Sequence, residues 1–438
     1  MRYILLAGVA LGAVSAFVPV TSARADSPAA VFPVTSSTDL AGWNGPQLNG
    51  AAPGSVQVNL GGRTLSGLWF EGNPSGTPGW QKAPTPQFNS WFFLYPGFDY
   101  ASPSGVHFGA QAEVRVNSSP MGVGAGAGGT PDTFFIHEMQ TYVSSDKFGK
   151  LEFGIPSGAM VQLAVGTGDD FGEGLFFSWY GTNPYIPWVM GDSRDNYTAT
   201  QKVVYITPSF GGLKGAISYQ PTPNSLSWNS GNTYNVNPAT YTGGFAPDGA
   251  LGTNPLLSKN RVSLAVQYAG TFSGVGVKAN GAYDFAEASN YGGATVGQNV
   301  SMGNVGAQLN IAGFELEGSA MFGKWNPNIV DDGNPGGPLP VGAKGSTAFV
   351  VGAGYGVGPI KVGAVYYHVS YDEGDFGGPM GKTGYISGPG VGASYSVGPG
   401  VVLYADVYGA SFDTTNPVTG TFGTQHPFGA DLTTFFSW

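Results

Sequence analysis

Cysteine is absent from all 438 residues, so neither a disulfide nor a thiolate metal site can be built. Charge is scarce. Asp, Glu, Lys and Arg make up 10% of the chain, against the roughly 25% of an ordinary soluble domain. Cations are scarcer than anions, 17 Lys and Arg against 27 Asp and Glu, which leaves a net charge of -10. That balance excludes nucleic acid as a partner, because phosphate binding needs a basic surface. Long hydrophobic runs are missing beyond residues 3–20: glycines and polar residues interrupt every later one, so no membrane-spanning helix is expected. The four histidines, His107, His137, His368 and His426, are scattered, and no pair has metal-ligand spacing. His107 and His137 could lie near each other, although they read better as ordinary wall side chains. Gly124, Gly126 and Gly129 match a phosphate-loop spacing, but they sit in a glycine-rich loop with no helix after it. No serine stands in a recognisable nucleophile–base pair, so no reaction and no cofactor are implied.

What the chain does have is glycine, 73 residues, and alternation. Between 428 and 438, Phe428, Ala430, Leu432, Thr434, Phe436 and Trp438 share one face, and Gly429, Asp431, Thr433, Phe435 and Ser437 share the other. Period two means a strand between two different surroundings. A terminal aromatic on such a strand suits the interfacial belt of a membrane barrel. The same alternation recurs at 56–71, 105–117, 259–269 and 314–323. Further strands are expected near 89–100, 133–145, 149–155, 200–208, 213–220, 275–286, 300–310, 346–356, 360–371, 385–397, 400–412 and 426–438. The count is about sixteen, an even number as a bacterial barrel requires. At 360–371 both faces look apolar, since Val365, Tyr367 and Val369 share a face with Lys361. A subunit contact or a wrong phase would each explain that.

The connections alternate in length. Short turns, such as Ala312-Gly313 and Gly398-Pro399-Gly400, follow long segments at 72–88, 118–132, 156–199, 221–258, 287–299, 324–345, 372–384 and 413–425. Short turns at one end and long loops at the other are the habit of an outer-membrane barrel. The expected fold is therefore all-β: a closed transmembrane antiparallel barrel whose first and last strands pair, leaving no free edge. Asp372, Glu373 and Asp375 in a long loop could hold a divalent cation weakly, but a solvated acidic loop is the simpler reading.

The amino-terminal 25 residues read as a cleaved export signal. Arg2 precedes an apolar stretch, and Ala23-Arg24-Ala25 is an A-x-A site. Loss of Arg2 and Arg24 takes the net charge from -10 to -12. Residues 26–55 read as a flexible leader and 56–438 as the barrel.

Several stretches resemble the general porins of alphaproteobacteria. They are 94–100 (LYPGFDY) followed by 105–115 (GVHFGAQAEVR), 148–154 (FGKLEFG), 202–219 (KVVYITPSFGGLKGAISY) and 391–400 (VGASYSVGPG), in order and at matching spacing. The resemblance implies a trimer of sixteen-stranded barrels in the outer membrane, inserted by the barrel-assembly machinery and surrounded by outer-membrane lipid. It implies passive diffusion of small hydrophilic solutes and ions, with the third loop, 156–199, folded inward as the constriction. By the same resemblance, Asp169, Asp170 and Glu173 of that loop would face wall cations at Arg63, Arg115, Lys150 and Lys202. Opposed charges across a narrow gap order water and favour polar solutes. The terminal Trp438 would be the aromatic read during assembly. The fourth strand departs from the family, carrying His137 and Glu138 where paired arginines are frequent. The loop is also rich in aromatics. Trp179, Tyr180, Tyr185 and Trp188 could stack on sugar rings, which would make the pore substrate-selective, or could simply pack on the wall. A structural or adhesive surface barrel is the third reading.

Overall fold

The computed structural model describes residues 51–72, 86–117, 135–166, 201–221, 257–289, 297–331, 334–337, 339–340, 342–373, 381–415, 422–426 and 428–438. Sixteen antiparallel strands close into a barrel. They are β1 (Val56–Gly72), β2 (Gln87–Ala101), β3 (His107–Asn117), β4 (Phe135–Ser145), β5 (Gly149–Ile155), β6 (Lys202–Ile206), β7 (Leu213–Gln220), β8 (Leu257–Phe272), β9 (Val275–Ser289), β10 (Val300–Ile311), β11 (Phe314–Lys324), β12 (Ser346–Val357), β13 (Ile360–Asp372), β14 (Thr383–Gly398), β15 (Val401–Gly409) and β16 (Phe428–Ser437). Each pairs with its sequence neighbour, and β16 pairs with β1 from Arg63↔Ser437 to Gly72↔Phe428. Closure leaves no ladder edge to be satisfied in lipid. The stretch expected as one strand over 400–412 is two. β15 stops at Gly409, and after Ala410 the segment Ser411–Thr415 resumes pairing with β14 in the same register and forms a hairpin with Phe422–Gln425.

Alternation sets the two faces. On β8, Leu264 and Val266 point outward and Arg261, Ser263 and Ala265 inward; on β11, Phe314, Leu316 and Phe322 oppose Glu315, Glu317 and Ser319. Outward apolar side chains match a hydrocarbon surround, where a charge at mid-depth costs about 2–4 kcal/mol. The tight turns follow from backbone chemistry. Ser273 and Gly274 between β8 and β9 both have positive φ, as do Ala312 and Gly313 between β10 and β11. Two left-handed residues match the twist of a two-residue hairpin.

The double apolar face of β13 has a clear cause. Val365, Tyr367, Val369 and Tyr371 point inward and are buried, while Val362 and Tyr366 point outward. Neither a subunit contact nor a wrong phase is needed, because the apolar inward residues are covered from inside the barrel. They join Ala286, Val300, Met302, Met321, Trp325, Ile386 and Tyr408 in one apolar patch on the inner wall towards the long-loop end. Met160 and Val161 pack on that patch.

Trp438 completes the closure. Its N–H donates to the Gly62 carbonyl at 3.0 Å, and its carbonyl accepts from the Gly62 N–H at 3.1 Å. Its ring lies over Gly62, where a Cβ would stand 2.3 Å from the indole, and 5.8 Å from the Phe92 ring. The backbone bonds survive substitution but the ring contacts do not. Trp438→Ser should therefore lower barrel stability by about 1 kcal/mol, the size of an aromatic pair contact. The heat-denaturation midpoint, followed as a gel-mobility shift, measures it; an unchanged midpoint would make the ring a bystander.

Candidate functional site

The inner wall has a notch. β5 has seven residues and β6 five, much shorter than their neighbours. β5 ends at Ile155 because Pro156 has no N–H to continue the ladder. From there the chain turns inward, and every residue from Ile155 to Gly166 except Gln162 is buried. A buried irregular segment must find partners for its backbone. The wall supplies them. A short helical turn, α1 (Ala159–Gln162), begins with the Ala159 N–H donating to Ser218 Oγ at 3.0 Å and the Met160 N–H to Ser263 Oγ at 3.0 Å. Further on, the Val165 N–H donates to Asn280 Oδ1 at 3.1 Å, and Gln267 Nε2 donates to the Leu163 carbonyl at 3.3 Å. Asn280 donates to Asn304 at 2.8 Å, and Asn304 to Ser319 at 3.0 Å. These inward polar residues on β7, β8, β9, β10 and β11 form a rail under the crossing segment. The segment reaches β10 and β11 at Gly166, whose Cβ position is 2.2 Å from the Gly318 carbonyl oxygen.

The root of the segment is tied to acids. Ser157 Oγ donates to Glu138 Oε1 at 2.8 Å, and Gln162 Nε2 to Glu152 Oε2 at 2.6 Å. Glu138 faces Glu113 directly across β3 and β4, and both are buried. Sequence reasoning missed this acidic wall. Its members are far apart in the chain, and their pairing needs the register, which shifts by a bulge between Glu113 and Val114.

The expected wall cations do not form one cluster. Arg63 lies flat on β2, its guanidinium 4.5 Å from the Phe93 ring centre and 5.6 Å from that of Tyr95. Lys150 Nζ is 2.7 Å from Glu152 Oε1 and 4.7 Å from the Tyr142 ring centre. Lys202 lines a small cavity beneath the crossing segment, with Arg261, Asp284, Ser218, Ser263 and Gln220. Arg115 occupies β3 between Phe93 and Phe135 in register, and its side chain lies outside the described residues. So do Asp169, Asp170, Glu173, Trp179, Tyr180, Tyr185 and Trp188. Arg261, unremarked as a site residue, is bound to Asp284 with Nε 3.2 Å from both oxygens.

The histidines are not brought together. His107 pairs in register with Ser144, at the far end of β4 from position 137, and its Nδ1 is 2.7 Å from Asp99 Oδ2. Asp372 is not a solvated loop acid. It is fully buried and accepts from the Gly381 N–H at 2.8 Å and the Lys344 N–H at 2.9 Å, tying two long loops. Among the described residues, buried carboxylates outnumber buried cations. Asp99, Glu113, Glu138, Glu152, Asp284, Glu315, Glu317, Asp372, Asp406 and Asp431 stand against Arg63, Lys202 and Arg261.

Three comparisons bear on this barrel. The family model described as Gram-negative porin matches residues 21–415. No curated protein matches the chain. Among solved structures, an anion-selective porin from Comamonas acidovorans superposes with a TM-score of 0.52 at 13% identity, over 88% of this chain and 100% of that one. OmpF of Salmonella typhi, in complex with daunomycin, gives 0.51 at 15% identity, over 86% and 97%. OmpT, an outer-membrane protein of Vibrio cholerae in its trimer form, gives 0.50 at 12% identity, over 87% and 99%.

Proposed function

Because the chain belongs to the Gram-negative porin family, and is an outer-membrane channel for passive diffusion of solutes, we propose that its constriction is built by the segment that turns inward after Ile155. The family and fold are typically non-enzymatic. The observation that carries the proposal is the rail of Ser218, Ser263 and Asn280, which satisfies the backbone of a segment inside the barrel. Side chains that serve another segment's backbone fix its path, and so fix the lumen. Asp169, Asp170 and Glu173 follow Gly166 by only a few residues, and in this reading they face the remaining lumen, opposite the wall that carries Arg63, Arg115 and Lys150, while Lys202 lies beneath the segment. Small hydrophilic solutes and ions pass between, while apolar solutes are disfavoured by ordered water.

The exported chain, in this proposal, loses residues 1–25 and assembles as a homotrimer in outer-membrane lipid, with Trp438 as the mark read by the assembly machinery. One feature of the outer face supports a protein neighbour. Thr434, Ser66 and Ser90 form a hydroxyl row across β16, β1 and β2, and Ser66 and Ser90 are 3.3 Å apart. Hydroxyls facing hydrocarbon suit a contact between protomers better than one with lipid.

Purified protein in planar bilayers should give large ohmic steps, closing in three equal levels per insertion. Folded protein that conducts nothing would overturn the channel; single-level closure would overturn the trimer.

A further inference from the structure

We propose that His107 sets the charge preference of the pore at its short-turn mouth, so that the pore favours cations when the imidazole is neutral and loses that preference when it is protonated. The proposal rests on the channel reading above and names what the residue sorts, small ions by the sign of their charge. His107 opens β3 directly after the short turn from β2. It shares the inward phase of Gln111 and Glu113, while Phe108 points outward. Its side chain is 25% exposed, so water in the lumen reaches the ring.

The ring is held by a network built across four strands. Asp99 on β2, Gly109 on β3 and Tyr142 on β4 stand level in the register. A Cβ at Gly109 would lie 2.3 Å from the Tyr142 ring, so only glycine lets that ring cross β3. The Tyr142 hydroxyl then donates to Asp99 Oδ1 at 2.7 Å. The other oxygen, Oδ2, is 2.7 Å from His107 Nδ1, and Asp99 itself is fully buried. Lys150 on β5 closes the network, its Nζ 4.7 Å from the Tyr142 ring centre and 2.7 Å from Glu152 Oε1.

This geometry lets charge change in place. Against a carboxylate oxygen, Nδ1–H donates whether the imidazole is neutral or protonated. A proton gained in acid therefore goes to Nε2, and the ring keeps its position. The groups that face it are few. β2 supplies Asp99, β4 supplies Tyr142, and β5 supplies Lys150 and Glu152. Asp146 and Lys147, on the turn after β4, are exposed and opposite in sign. Two carboxylates against Lys150 leave the network one formal negative charge when His107 is neutral, and none when it is protonated. A mouth that loses its net negative charge loses its attraction for cations.

Reversal potentials in a KCl gradient test this with the full-length protein in planar bilayers, at about pH 8 and about pH 5, the range over which histidine as a residue type changes charge. In the wild type the K⁺/Cl⁻ permeability ratio should fall about two-fold from the higher pH to the lower. His107→Gln keeps a donor for Asp99 and stays neutral, so most of that fall should vanish. His107→Lys keeps a donor and carries a fixed positive charge, so its ratio at the higher pH should already match the wild type at the lower. A role confined to holding Asp99 would leave both variants with the wild-type profile. A wild-type ratio that does not change with pH overturns the proposal, and so does a His107→Gln profile that follows the wild type; either leaves a conducting channel intact. A folded wild type that conducts nothing fails earlier, at the channel reading. Should His107→Gln not fold, His107→Lys decides alone, and a wild-type ratio at the higher pH overturns the proposal.

Discussion

Replacing Gly166 by valine should widen the pore and raise its single-channel conductance. Gly166 has φ +74, and a Cβ there would stand 2.2 Å from the Gly318 oxygen and 2.6 Å from the Ala307 oxygen. A β-branched residue is disfavoured in that conformation before any contact is counted. The two carbonyls belong to β11 and β10, each bonded on both sides in a closed ladder. The wall therefore holds and the segment gives. Its hold near this point is one bond from the Val165 N–H and one to the Leu163 carbonyl, each worth about 0.5–1.5 kcal/mol. Local strain of about 1–3 kcal/mol is enough to lift it. Gly211 is the control. It also has positive φ, but nothing lies within 4 Å of its Cβ position, so Gly211→Val carries strain without collision. Conductance at the wild-type level in Gly166→Val, with the barrel folded, would mean that the segment does not limit the pore.

This expectation could not have come from the sequence, and the reason is physical. Period two is a local signal, so β5 over Gly149–Ile155 and β7 over Leu213–Gln220 are readable to the residue, and so is the pairing of the last strand with the first. The inward path of the chain after Pro156 is not local. It depends on Ser218, Ser263 and Asn280, uncharged polar residues that look like any other lumen residue until a backbone is laid across them. β13 shows the same limit from the other side. Its inward Val365, Tyr367 and Val369 hid the alternation, because the partners that cover the inner apolar patch, Met160 and Val161, come from some two hundred residues earlier. Glu113 and Glu138 lie on strands whose existence is legible in the alternation. Their opposition appears only with the register and its bulge. Four wall cations were expected as a cluster on the strength of a family habit. Here Arg63 is laid on Phe93 and Lys150 is bound to Glu152, so each has its own local partner.

Arg261→Met should destabilise the barrel more than any substitution on its outer face. Arg261 and Asp284 are bound side by side with side-chain exposures of 5% and 3%, beneath the crossing segment. Removing one partner of a buried pair leaves the other desolvated and unmatched, at about 3–5 kcal/mol. Lys202 lines the same cavity and softens the loss without replacing the bond. The pair as a whole is a different matter, since the attraction between its members only offsets what both lost on leaving water. Arg261→Met with Asp284→Leu should therefore recover most of the stability lost in the single variant. Ser263 ties the same spot to the Met160 N–H, so the single variant should also loosen the segment above. Urea-unfolding midpoints followed by tryptophan fluorescence measure the cycle. Equal midpoints for the wild type and Arg261→Met would show that water reaches the pair. A double variant weaker than the single would show that Asp284 is held by Lys202 instead.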